Sequence, residues 1–258
     1  MKKYILSFHT VFIVNENIKW LEEFLIYYKN LGVEHFYLYD NEGSIGRNGS
    51  TQEYNKYGFR ISANSHINDQ LELQDIIQRY SDVITYVKWQ PTNLKGEILY
   101  NQCDATRHFM TTYGHESEWA ALMDLDEFLF SESDVNLRTY LSAQPTDVSC
   151  LKVSQKKFID RFLSTEIHIT QDYKCITMPY KPEWGPKNII KCADFVDMNP
   201  NIHNIAVKYK TEVIDPSVWR FNHYNTNPKQ LEWMKEIYKR TYTINGVDDG
   251  MKRYKHLF

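Results

Sequence analysis

Cysteine is scarce in this chain: four residues in 258, at positions 103, 150, 175 and 192, with no C-x-x-C pair and no metal-ligand spacing. That argues against a disulfide framework and a structural zinc site, so the thiols read as reduced ones in an intracellular, cytoplasmic protein. An excess of either charge is also missing. Lys and Arg total 30 against 33 Asp and Glu, a net charge of −3, so no global basic field marks nucleic acid as the partner. No stretch approaches the roughly 18 apolar residues of a membrane span. The opening "MKKYILSFHTVFIVNEN" imitates a signal peptide, but His9, Thr10 and Asn15 interrupt it and no small-residue cleavage site follows. A β-strand explains it better. Internal repeats and low-complexity segments are absent as well.

What is present is a chain long enough, at 42% hydrophobic residues, to bury a large core as one domain. The first half alternates strand and helix signals. "YILSFHTVFIV" is β-branched and aromatic, and "NIKWLEEFLIYYKNLG" spaces Ile18, Leu21, Leu25 and Tyr28 as one helical face. Asn17 is the expected N-cap and Gly32 the stop. "VEHFYLYD" and "VITYVKW" read as strands, "FRISAN" as a further one, and a short helix is expected over 51–57. "LELQDIIQRYSD" and the stretch from Gly96 to Tyr113 read as helices. This repeat predicts an α/β fold with a doubly wound, mostly parallel sheet. After about residue 145, "SCLKVSQKKF", "EIHITQDYKCITM", "NIIKCADFV" and "SVWRFNHYN" predict a mixed sheet with long loops, and "NPKQLEWMKEIYKR" a last helix.

The segment "ALMDLDEFLF", residues 121–130, runs an apolar strand into Asp124, Asp126 and Glu127 and returns at once to Phe128. Carboxylates at the end of a buried strand are costly unless something neutralises them. In α/β sheets ligands bind beyond the carboxyl ends of the parallel strands, where Asp124 and Asp40 both fall. Asp124 and Asp126 have the spacing to meet a divalent cation, Mn²⁺ or Mg²⁺, shared with a diphosphate. The plainer alternative is a strand end whose acids cap a turn and pair with a nearby Lys or Arg.

Longer stretches resemble glycosyltransferase family 92 and its bacterial and viral relatives. "VNENIKWLEEFLIYYKNLGVEHFYLYDN" resembles the family's opening, "NQCDATRH" its pre-strand helix and "EWAALMDLDEFLF" its W-x-x-x-x-D-x-D-E-F signature. "GPKNII" resembles its P-K element and "FNHY" its late His-Tyr pair. The resemblance implies a single GT-A-like domain, with residues 1–130 binding a nucleotide sugar and 131–258 an acceptor glycan. It also implies that Asp124, Leu125 and Asp126 hold a metal and the diphosphate of a sugar nucleotide, a UDP-sugar by default. Asp40 would meet the base or ribose, Val14, Asn15 and Glu16 would help form the nucleotide pocket, and Gln102 would lie on the helix entering it. His223 would be a late metal or diphosphate ligand, with Tyr224 beside it, and Lys187 would steady phosphate or acceptor. Against each stands a plain structural role: helix start for Asn15 and Glu16, turn acid for Asp40, core imidazole for His223, solvated cation for Lys187.

An enzyme of this kind is expected to invert the anomeric centre, using one general base. Glu183, in "PEWGPK" beside Trp184, is the first candidate and Asp160, in "KKFIDRF", the second. Two other classes compete. One is a nucleotide- or glycan-binding module that turns nothing over. The other is a nucleotidyltransferase or phosphohydrolase using the same metal carboxylates, of which the missing G-x-G-T/S-x-R loop after the first strand disfavours the nucleotidyltransferase.

Overall fold

The computed structural model describes residues 2–44, 66–160, 168–171, 176–177, 185–198, 202–224, 236 and 246–258, the side chains of 159–160 and 176–177 excepted. The expected strand over 59–64, the short helix over 51–57, the helix over 227–240, Cys175 and the Glu183–Trp184 pair fall outside them, apart from the single residue Glu236.

The chain opens with β1 (Tyr4–Phe12), α1 (Val14–Asn30) and β2 (His35–Asp40), followed by α2 (Ile67–Arg79), β3 (Ile84–Lys88), α3 (Gln102–Thr112) and β4 (Ser117–Leu122). β3, β2, β1 and β4 lie side by side in that order, all parallel. Their residues alternate between the two faces. Leu6 and Phe8 of β1, Phe36 and Leu38 of β2, and Trp119 and Ala121 of β4 pack with Ile18, Leu21, Phe24, Leu25 and Tyr28 of α1. Val11, Tyr37, Tyr39, Ala120 and Leu122 face Phe109 and Met110 of α3. Each fully buried Leu, Ile or Phe contributes on the order of 1.5–3 kcal/mol, so the two apolar stripes fix both register and helix placement.

The second half is mixed. β5 (Glu127–Phe130), the short α4 (Leu137–Ser142), β6 (Val148–Asp160), β7 (Ile176–Thr177) and β8 (Lys187–Lys191) follow in order, with β9 (Phe195–Met198) and β10 (Ile205–Val207) forming a separate antiparallel pair. β11 (Lys210–Val213), β12 (Arg220–His223) and β13 (Gly246–Val247) complete the described strands. β8 pairs antiparallel with both β4 and β6. The long β6 pairs with β11 through its first half and with β12 through its second, and β12 pairs antiparallel with β5. A parallel first half continued by a mixed second half is the α/β arrangement expected from the sequence.

Three local expectations are corrected. Asn17 does not cap α1: the helix starts at Val14, and Asn17 reaches back so that its Oδ1 accepts the Ile13 N–H at 3.2 Å. The orphan Val14 N–H goes instead to Glu42 Oε2 at 3.0 Å, an acid supplied from beyond β2. The helix expected from Gly96 begins only at Gln102, after Asn101 adopts a left-handed backbone at φ 37°. In "EIHITQDYKCITM", Ile169–Gln171 is a 3-10 turn instead of strand. The buried Glu23 carboxylate on α1 accepts the Ile169 and Thr170 N–H groups at 2.6 and 2.8 Å, removing them from any ladder.

Candidate functional site

The site is built around the turn that joins β4 to β5. Asp124, Leu125, Asp126 and Glu127 form it, closed by Glu127 N–H donating to the Asp124 carbonyl at 3.1 Å. The Glu127 carboxylate folds back and accepts the Asp124 N–H at 2.9 Å. Leu125 is the apolar anchor, buried in the main core, so only its backbone is available to a ligand. β5 pairs on one side with β12, and on the other its backbone is satisfied by α1. Tyr28 donates to the Glu127 carbonyl at 2.8 Å and accepts the Leu129 N–H at 2.9 Å, while the Tyr27 hydroxyl donates to the Leu129 carbonyl. Two tyrosines thus do for this short strand what a neighbouring strand would otherwise do.

The turn sends its acids in different directions. Asp124 Oδ1 accepts from Gln102 Nε2 at 2.7 Å, and its Oδ2 takes the Lys187 ammonium at 2.7 Å. Lys187, buried at the start of β8, also lies 3.1 Å from Glu127 Oε2. Burial alone would lower the lysine's pKa, but Asp124 and Glu127 more than compensate and hold it well above its ordinary value. Glu127 is 1% exposed, and burial pushes its carboxyl up to about 7, with Lys187 opposing and Asp124 adding to the rise. Asp126 instead faces His223, whose Nε2 lies 3.5 Å from Asp126 Oδ2. His223 Nδ1 lies 3.2 Å from Gln155 Oε1 and 3.7 Å from Glu127 Oε1. The Tyr224 N–H fixes this edge by donating to the Asp126 carbonyl at 2.9 Å.

Register explains the convergence. His223 on β12 is the direct partner of Glu127 on β5 and of Lys157 on β6, so the three form one row across the sheet. Burial lowers the Lys157 pKa, and Glu127 and Asp126 pull it back up. Ligand atoms of Asp126, Glu127 and His223 all lie within 4.8 Å of one another, which fits a divalent ion with mixed oxygen and nitrogen ligands. Asp124 does not belong to that group. Both its oxygens are engaged by Gln102 and Lys187, the pairing that the plainer reading of a strand-end acid anticipates. A small pocket of about 20 Å³, room for about one water, lies beside it, lined by His9, Gln102, Thr106, Leu122, Lys187 and Met198 among others.

Gln102, Lys187, Asp124, Asp126 and His223 are therefore gathered in one place. Other expected residues are engaged elsewhere. Asp40, buried, accepts the Tyr86 hydroxyl at 2.6 Å and the Glu42 N–H at 2.9 Å, the latter an Asx turn. Val14 has its side chain in the core, and Asn15 and Glu16 occupy the first turn of α1. Tyr224 is a core residue stacked on Phe158 at 4.5 Å. Asp160 ends β6, its side chain outside the described set, as is all of Glu183. The sequence marks Glu127 only as one of the strand-end carboxylates in need of a partner, without a role in the site, and does not mark Gln155 at all. The signal for Glu127 was an acid opening a wholly apolar strand; Gln155 carried none.

The sequence profile of glycosyltransferase family 92 matches residues 2–255. The chain belongs to that family. No curated protein sequence matches significantly. Two solved structures of S. aureus TarS are similar to this family member. The 1–349 fragment has a TM-score of 0.45 at 12% identity, covering 87% of this chain and 60% of the fragment. The other has a TM-score of 0.39 at 10% identity, covering 95% of this chain and 40% of its own. This chain thus spans less than two thirds of the length of either. No helix among the described residues is long and apolar enough to cross a membrane.

Proposed function

We propose that this family 92 domain transfers a sugar from a nucleoside-diphosphate sugar, UDP-linked by preference, to a hydroxyl of a glycan or similar acceptor. The observation that carries the reading is the Asp126–Glu127–His223 group at the rim of the parallel strands, next to the Asp124–Gln102–Lys187 cluster. Asp126 and His223, with Glu127 behind them, would hold a divalent cation, Mn²⁺ suiting a mixed nitrogen and oxygen set. When bound, that ion would neutralise charge developing on the departing diphosphate. In a single inverting displacement the acceptor oxygen attacks the anomeric carbon, the bond to the diphosphate oxygen breaks with its electron pair, and a base removes the acceptor proton. Glu183 is retained as the base, with Asp160 the alternative.

Calorimetric titration with UDP, with and without Mn²⁺, tests this on the wild-type chain and on Asp126→Ala. Binding that requires both the ion and Asp126 is expected. Equal binding by the variant would remove the proposed metal site. Glu183→Gln should bind the donor and lose transfer, and retained transfer would remove Glu183 as base. A module that binds without turnover would show the first result and no transfer with any donor.

A further inference from the structure

One buried amide sits behind the proposed metal edge and has no part in the reading above. Gln155 is 6% exposed, on β6 two residues before Lys157. Its Nε2 points to the Gly185 carbonyl at 3.4 Å, and its Oε1 to His223 Nδ1 at 3.2 Å. A carbonyl only accepts, so the contact to Gly185 decides which end of the amide is which. The end facing His223 is then an acceptor, and Nδ1 must carry the hydrogen. A second neighbour of Nδ1, Glu127 Oε1 at 3.7 Å, is also an acceptor once the carboxyl has lost its proton. That leaves the Nε2 lone pair on the side of Asp126.

The same amide reaches the turn that delivers Lys187. Gly185 has φ +54°, and a Cβ there would come within 3.1 Å of Gln155 Nε2 and of the His203 ring. His203 Nδ1 donates to the Pro186 carbonyl at 2.8 Å, so the turn before β8 is held from two sides.

We infer that Gln155 is a positioning residue that fixes the His223 tautomer and ties it to the Gly185–Lys187 turn, so that Nε2 is presented to a divalent cation beside Asp126. The inference rests on the metal reading above for its purpose, but not for its geometry. A hydrogen-bonded partner on the far nitrogen is what sets the tautomer and orientation of a ligating histidine, and its loss commonly costs about 10- to 100-fold in metal affinity.

Two measurements test it on the whole chain: ¹⁵N NMR of His223 in metal-free protein at alkaline pH, where imidazole is neutral, and Mn²⁺ affinity by electron paramagnetic resonance. The wild type should show the Nδ1–H tautomer. Gln155→Leu should lose that tautomer preference and bind Mn²⁺ about 10- to 100-fold more weakly. Gln155→Glu, which still accepts from Nδ1–H, should keep the tautomer, a rescue that a purely packing role would not give. An Nε2–H tautomer in the wild type, or an unchanged tautomer in a folded Gln155→Leu, would overturn the inference. If the tautomer responds as expected while no form binds Mn²⁺, the positioning role stands and the metal reading fails.

Discussion

Replacing Lys187 by Met removes the ammonium that bridges Asp124 and Glu127, and the consequence depends on pH in a direction the structure fixes. Glu127 is 1% exposed and its carboxyl stands at about 7 against an ordinary value of 4.5. A raised carboxyl means that between those values the folded protein keeps a proton the unfolded chain has released, so stability falls as pH rises through that window. The shift corresponds to roughly 3 kcal/mol. Without Lys187 the charged form loses its counter-ion, the carboxyl rises further, and the loss extends to higher pH. In metal-free protein near pH 5, Glu127 is mostly protonated and the main casualty is Asp124, whose side chain is 30% exposed and keeps Gln102. The cost there should be about 1 kcal/mol or less. Near pH 8 the variant must either bury an unpaired carboxylate or take up a proton, at about 3–5 kcal/mol, the usual cost of breaking a buried pair. For a chain of this size that is a Tm lower by about 6–20 °C. Thermal unfolding of Lys187→Met and wild type at the two pH values reads the difference directly. An equal loss at both would show that Glu127 does not depend on Lys187, and the electrostatic account of the turn would be wrong.

His9 should dominate acid sensitivity. It is stacked on Phe109 at 4.7 Å, and burial, with His108 adding, pushes its pKa down to about 3. The unfolded chain therefore takes up a proton that the folded state refuses. Stability should drop by about 1.4 kcal/mol per unit as pH falls below the ordinary histidine value of 6.5, until about 3. Denaturant titrations of wild type and His9→Phe should differ in slope by one proton across that window, and parallel curves would refute it. Glu23→Ala should cost about 3 kcal/mol or more, because the Ile169 and Thr170 N–H groups lose a buried charged acceptor. Hydrogen exchange should accelerate at those two amides first, and unchanged protection there would contradict the assigned role.

Period and composition were enough to read the first half of the fold. The β-branched and aromatic runs "YILSFHTVFIV" and "VEHFYLYD" read as strands, the helical spacing of Ile18, Leu21, Leu25 and Tyr28 gives the helix between them one buried face, and β1, α1 and β2 follow. Local sequence also marked Asp124 and Asp126, because carboxylates between two apolar runs demand a partner. It misplaced the start of α1, because the acid that caps it, Glu42, is 28 residues from Val14 along the chain. Likewise Asp40 is a strand-end acid in the sequence, and only the fold brings Tyr86 to it.

The division between the two acids of the D-L-D turn belongs to tertiary structure alone. Identical side chains two residues apart meet different partners because Lys187 arrives on β8 next to β4, while His223 arrives on β12 next to β5. Strand pairing across 63 residues for Asp124 and Lys187 cannot be read from a periodicity that reports only which face is apolar. Sequence determined that acids would stand at the end of a buried strand; the order of strands in the sheet decided which cation or imidazole each of them would face.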